Sequence, residues 1–205
     1  MAQFKTDQEK FWAEEFGSDY IDRNNGEERI MTNMMFWGDI VSQLPKIKSV
    51  MELGCNIGIN LQALKRIDPN YNLCGYEIFD EAAKICAETG VARVEQQSII
   101  EPINETEKFD LTFTKGVLIH INPDYLDQVY KNLIENSNRY ILVCEYYNPS
   151  PVAIPYRGHE DRLFKRDFAG DMMDKYGLKL IKYGFLYHRD NNFPQDDLTW
   201  FLMEK

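Results

Sequence analysis

The residues Glu52-Leu53-Gly54-Cys55-Asn56-Ile57-Gly58 sit where a short apolar run gives way to an amphipathic one, and a second acid, Glu77, follows 23 positions after Gly54. Such a turn, at the carboxyl end of a strand, is where α/β sheets bind ligands. Gly54 permits a tight turn, Asn56 lies at its centre, and Gly58 lets helix and ligand approach closely. The spelling excludes two phosphate loops. A dinucleotide fingerprint starting at Gly54 needs glycine where Asn56 and Ile59 stand, and a P-loop needs a Gly-Lys-Ser/Thr that is missing. Glu52 would repel a pyrophosphate but suits a cationic ligand. An ordinary strand-to-helix turn is the plain alternative.

Glu77 ends Leu73-Cys74-Gly75-Tyr76-Glu77. A carboxylate about 20 residues beyond a glycine loop can take both ribose hydroxyl protons. Ile78 can then lie against one face of an adenine. Gln97 or Ser98, ending a third strand, can hydrogen-bond its exocyclic amine, or either can simply face solvent. A nucleoside that is cationic and carries no phosphate fits this set. S-adenosylmethionine (SAM), with an ammonium and a sulfonium, is such a molecule. Nearer the N-terminus, Tyr20, Arg23 and Asn24 cluster at a helix end. Arg23 can pair with a cofactor carboxylate or make a surface ion pair, and Tyr20 can close over the cofactor.

An acceptor site is expected further along. Tyr146, Tyr147, Asn148, Arg157, His159, Lys165 and Arg166 follow a predicted fifth strand. Arginine and lysine concentrated in an acidic chain suit an anionic small-molecule acceptor. A solvated loop with a basic helix start is the competing reading, although basic residues in a first helical turn oppose the helix dipole. Methyl transfer from an activated sulfonium needs alignment above all, plus removal of a proton from the acceptor. His120, after the fourth strand, is the first candidate base and equally a packed histidine between Ile119 and Ile121. His159 is the second candidate and Glu145 the third; His188 has no assigned role. No spacing of histidines or carboxylates calls for a metal.

The elements that must position these residues alternate. Phe11, Trp12, Phe16 and Tyr20, then Ile30, Met31, Met34, Met35, Val41 and Leu44, recur at helical spacing up to Pro45. From Lys48 strand and helix take turns. Strands are predicted over 49–53, 72–76, 91–95, 109–114 and 139–144. Helices are predicted over 59–67 and 80–88, the latter capped by Asp80, and from Asn122-Pro123 onward. A proline-rich loop, Asn148 to Pro155, should precede a helix over 165–176. The last two strands, 178–187 and 198–203, have no helix between them and should pair antiparallel. Repeated β-α-β units imply a doubly wound, mostly parallel sheet.

With 205 residues the chain fits a single domain, in which residues 1–45 form a helical cap over the cofactor site and 146–177 an acceptor-side insertion. A net charge of −10 argues against a nucleic-acid partner. No apolar run is long enough to span a bilayer, and the polar N-terminus lacks a secretion signal. Four scattered cysteines with no C-x-x-C pair suit a reducing cytoplasm. Oligomeric state is left open.

Taken as a set, Glu52 to Gly58, Glu77 and the stretch Phe109 to Ile121, which includes Thr114 and His120, resemble the successive motifs of class I SAM-dependent methyltransferases. The resemblance runs from about Ser49 to Cys144. It implies a Rossmann-like seven-stranded sheet with the last strand antiparallel, and SAM as cofactor. The glycine loop would cradle the methionine part, with Thr114 on the cofactor side, and Glu77 would hold the ribose. Gln97-Ser98 departs from the family, many of whose members carry an acid there. The flanks are similar to a narrower group, the methylases associated with pseudaminic acid biosynthesis. The similarity lies in Phe11 to Gly17, Tyr20 to Asn24, Pro155 to His159 and Leu163 to Phe168. It implies an acceptor hydroxyl or amine on a sugar or nucleotide sugar of nonulosonic-acid and surface-glycan biosynthesis.

Overall fold

The computed structural model describes residues 4–15, 17, 21, 26–156 and 159–205, and for 15, 156, 159 and 160 only the backbone. Tyr20, Arg23 and Arg157 lie outside the described residues, as does the side chain of His159. The chain divides into two compact units, Met1–Glu101 and Pro102–Lys205.

In the first unit a short helix α1 (Asp7–Lys10) continues as a π-helical turn over Phe11–Glu15. Its start carries a capping box, with the Thr6 side chain accepting from the Glu9 amide and Glu9 answering to Thr6. Helix α2 (Glu27–Ser42) follows, then strand β1 (Ser49–Leu53), α3 (Ile59–Ile67), β2 (Asn72–Glu77), α4 (Asp80–Glu88) and β3 (Arg93–Gln96). The strands lie in the order β3-β2-β1 and are parallel throughout. Val50, Met51 and Leu53 are fully buried, as expected of a parallel strand covered on both faces. The α4 boundaries match the expectation, but Asp80 is not its cap. Phe79 holds that position without a side-chain bond, and Asp80 instead pairs with Lys84 at 2.6 Å.

The second unit opens with β4 (Phe109–Lys115), whose exit is a 3-10 turn over Leu118–His120. Asn122 caps a second such turn, Pro123–Tyr125, which leads into α5 (Leu126–Glu135). Strand β5 (Ser137–Glu145) is parallel to β4. Two strands close the chain, β8 (Lys179–Phe185) and β9 (Thr199–Glu204), and β9 runs antiparallel to both β5 and β8. The order here is β4-β5-β9-β8. The seven strands of the two units together are the mostly parallel α/β set, with one antiparallel member, that the sequence predicts.

The segment after β5 departs from its expected form. In place of a proline-rich loop there is an antiparallel ribbon of β6 (Val152–Tyr156) and β7 (His159–Lys165). Two-stranded ribbons leave one side of each strand unpaired, so a proline costs little there. The register shifts between Ile154 and Tyr156, at Pro155. The following helix α6 spans Phe168–Tyr176 rather than 165–176, because Asp167 caps it by accepting from the Gly170 amide at 2.8 Å. Gly170 is needed for that cap, since a Cβ there would meet the Asp167 carboxylate at 2.5 Å. Lys165 and Arg166 therefore precede the helix, and the argument from an opposed dipole does not apply to them.

Candidate active site

The loop between β1 and α3 is built from left-handed residues. Gly54, Asn56 and Gly58 have φ of 78°, 47° and 77°. Glycine takes these angles without strain, and asparagine tolerates them better than most residues. The Gly54 and Cys55 amides both donate to the Tyr76 carbonyl, at 2.8 and 3.0 Å, so the loop is pinned to the end of β2. Gly58 faces a different neighbour from the one expected. A Cβ there would meet Cys86 Sγ of α4 at 2.4 Å, so this glycine serves helix-to-loop packing.

Two buried acids flank the loop. Glu52 is 1% exposed and accepts from Asn60 Nδ2 of α3 at 2.7 Å. Asn60 is itself held by the buried Trp37 indole, which donates to Asn60 Oδ1 at 3.2 Å. Glu77 accepts from the Asn56 amide at 2.8 Å through one oxygen and from the Phe79 amide at 2.9 Å through the other. Burial pushes its carboxyl upward, and the backbone amides around it oppose that shift. Both carboxylates push the intervening Cys55 thiol upward, after the larger effects of its Cys86 contact and burial. A turn whose amides are already bonded within the protein, set between two buried acids, is unsuited to phosphate and suits a cationic nucleoside. The residues present thus fit SAM.

Beyond Glu77, Ile78 leads to Phe79, whose ring packs against the backbone at Gly17, where a Cβ would meet it at 2.5 Å. Ile21 packs with Ile57 of the loop and Ala82 of α4. Parts of the N-terminal segment therefore lie on the loop and on the exit of β2. The Gln97 amide donates to the Glu77 carbonyl at 3.0 Å. The hydroxyl of the half-buried Ser98 is bonded to the buried Glu9 carboxylate. Sequence reasoning passed over Glu9, although Thr6 and Glu9 at capping-box spacing announced an ordered acid there. It also passed over Asn60, which no local pattern marks.

In the second unit Thr114, near the end of β4, is buried. Glu145, ending β5, is buried and accepts from the Val117, Leu118 and Ile119 amides at 3.0, 3.1 and 3.5 Å. Burial pushes its carboxyl to about 7 in spite of these bonds. His120, at the end of the same turn, bonds through Nδ1 to the Arg162 carbonyl of β7 at 2.8 Å. A carbonyl only accepts, so Nδ1 carries the proton and Nε2 the lone pair. Burial pushes the ring down to about 4, and it is neutral at pH 7.

The basic residues expected at an acceptor site are partly brought together. Tyr147 and Arg166 form a backbone bridge, and with Glu145, Phe168, Thr199 and Phe201 they line a small niche. The Lys165 ammonium lies 4.8 Å from the centre of the Tyr146 ring. Arg166 is committed to Asp171 at 3.2 Å. Among the described residues no group of acids, cysteines and histidines could hold a metal ion, and no helix is long and apolar enough to cross a membrane.

No family model matches the chain, and no curated protein matches it. Solved structures do. A SAM-dependent methyltransferase from Leishmania major superposes with a TM-score of 0.71 at 14% identity, covering 97% of this chain and 81% of that one. Magnesium protoporphyrin IX methyltransferase from Synechocystis, with bound S-adenosylhomocysteine, gives 0.68 at 13% identity, covering 97% and 100%. A SAM-dependent methyltransferase from Clostridium acetobutylicum gives 0.65 at 12% identity, covering 92% and 97%. At such identities the likeness is one of fold, and the fold of this chain is that of the SAM-dependent methyltransferases.

Proposed function

We propose that the protein is a SAM-dependent methyltransferase acting on a small acceptor. The observation that carries the reading is the left-handed turn Gly54–Gly58 with its central amide fastened to Glu77. The turn's own amides are bonded within the protein, so it offers SAM a fixed backbone surface at the end of β1 rather than donors. Glu52 and Glu77 supply negative charge for its cationic groups, and Glu77 also has carboxylate lone pairs for the ribose hydroxyls. Ile78 and Gln97 border the adenine, with Thr114 on the cofactor side, and Tyr20 and Arg23 of the N-terminal segment complete the cofactor set. When bound, SAM supplies an activated methyl group.

The chain's own residues align the acceptor and move its proton. His120, neutral and fixed through Nδ1, offers Nε2 as proton acceptor; His159 is the second candidate. With its ring pushed down to about 4, His120 is a weak base, so alignment contributes more than basicity. Glu145 holds the turn that carries His120. Tyr146, Tyr147, Arg157, Lys165 and Arg166 form the acceptor side, and the positive charge of Arg157 and Lys165, with Arg166 shared with Asp171, favours an anionic sugar or nucleotide sugar with a free hydroxyl or amine. The resemblance of the flanks to pseudaminic acid-associated methylases supports that class.

Mass spectrometry of the purified protein tests the cofactor, with SAM or its demethylated product expected to co-purify. An acceptor screen on nucleotide sugars, read by a mass gain of one methyl group, tests the substrate. Binding of SAM with no transfer to any sugar or amine would reduce the protein to a SAM-binding module. Failure to bind SAM would end the reading.

A further inference from the structure

The exit of β3 is closed by an acid that comes from the other end of the first unit. Glu9 is 8% exposed. Its Oε2 accepts from the Lys5 and Thr6 amides at 2.8 and 3.2 Å, which fixes the carboxylate in the capping box. Its Oε1 is turned toward Ser98 and accepts a hydrogen bond from the serine hydroxyl. Ser98 Oγ accepts in turn from the Ile100 amide at 3.3 Å. A salt bridge from Lys5 to Glu101 at 2.6 Å fastens the same segment a second time.

The position of this carboxylate matters because of what stands beside it. Glu77 pairs with Gln96 in the β2–β3 register, and the next amide, that of Gln97, donates to the Glu77 carbonyl at 3.0 Å. Ser98 is one residue further along. A nucleoside whose ribose hydroxyls meet Glu77 carries its base on the same sugar ring, which directs the base edge along 97–98. Adenine presents an amine there, a pure donor. A carboxylate oxygen has two lone pairs, so Oε1 can keep the hydrogen bond from Ser98 and still accept one from the amine. A base with an oxo group in the same place would set acceptor against acceptor, and burial makes that mismatch costly.

We infer that Glu9, supported by Ser98, reads the exocyclic amine of the cofactor's adenine and determines specificity for it. This rests on the methyltransferase reading. It makes the N-terminal segment part of the cofactor site through an identified atom, Glu9 Oε1.

The test is calorimetry on the full chain with S-adenosylhomocysteine and with its inosine counterpart, which carries an oxo group in place of the amine. The wild-type protein should prefer the adenine form by about 10- to 100-fold, the effect of one charge-assisted bond. Glu9→Gln should bring the two affinities within a few-fold of each other, because a side-chain amide can turn to donate to the oxo group. Ser98→Ala leaves the acid in place and should keep the preference. An undiminished preference in folded Glu9→Gln overturns the inference, and so does its disappearance in Ser98→Ala, which would give the reading role to the serine. Wild-type protein that binds neither nucleoside overturns the methyltransferase reading itself. Binding of both forms with equal affinity overturns only the role of Glu9.

Discussion

Two buried acids, Glu77 ending β2 and Glu145 ending β5, do the same mechanical job in different surroundings. Each collects backbone amides from a turn that leaves a neighbouring strand or its own: Asn56 and Phe79 for Glu77, Val117, Leu118 and Ile119 for Glu145. For both, burial raises the carboxyl and the amides lower it. Glu145 reaches about 7 and so sits at its titration point near neutrality, while Glu77, also raised by burial, lies beside a loop rather than the turn that carries His120. Amide contacts therefore oppose the effect of burial at both acids without removing it. One clamp shapes a loop for a cation; the other holds a turn whose firmness depends on pH.

The comparison breaks most severely at the loop. Gly58→Val should cost more than about 3 kcal/mol, because it adds a β-branched side chain at a left-handed φ and drives it into Cys86. Gly54→Val should abolish SAM binding for the conformational reason alone. Thermal melting with calorimetry on the folded fraction checks both, and retained affinity in Gly54→Val would remove the loop from the cofactor site.

The next effect concerns Glu145 and His120. The Glu145 carboxyl, raised from 4.5 to about 7, contributes stability that is fully present below about pH 4.5 and lost as pH rises through 7. The His120 ring, lowered from 6.5 to about 4, contributes stability that is present above pH 6.5 and lost as pH falls through 4. Each is worth on the order of 3 kcal/mol and the two nearly cancel between pH 4.5 and 6.5. Relative to wild type, Glu145→Gln should therefore gain stability as pH rises across that window, and His120→Asn should lose it. Urea unfolding at a series of pH values measures this. Difference curves that stay flat in both variants would show that neither group titrates as its burial demands.

Glu77→Ala should weaken SAM binding by roughly 1.5–3 kcal/mol, and it should also loosen the loop by freeing the Asn56 amide. Glu77→Gln should keep part of the clamp and so fall between. An alanine variant that is folded and binds normally would cancel the ribose assignment. The smallest effect is at Arg166. Its bridge to Asp171 is partly exposed, and Arg166→Ala should cost under about 1 kcal/mol of stability. If Arg166 serves the acceptor, that variant should raise the acceptor KM while leaving SAM affinity alone; a change in SAM affinity would move the residue to the cofactor pocket.

The two regions were also unequally legible in the sequence. Around Glu77 the necessary signals are local: apolar runs of strand length, glycines at the turn, an acid at the next strand end. The predicted bounds of β1, α3 and α4 accordingly coincide with the structure. Around Glu145 the structure depends on partners far along the chain. The prolines of 148–155 predict a loop, whereas Pro155 sits at a register shift in a ribbon that has room for it. The helix expected over 165–176 starts later, because Asp167, a good cap, marks the true start. The contact between His120 and the Arg162 carbonyl joins residues 42 apart, and periodicity carries no trace of it.

The fastening of Asn56 to Glu77 has a consequence for the energetics of occupancy. A turn with three left-handed residues is entropically demanding to form, and here its shape is secured during folding by bonds within the protein. A ligand arriving at such a turn need not organise it, so little of its interaction energy is lost to ordering the backbone. The same acid thereby links two equilibria. Whatever weakens its hold on the Asn56 amide lowers both the melting temperature and the affinity. A ligand at a hundred times its Kd returns about 2.7 kcal/mol to the native state by mass action.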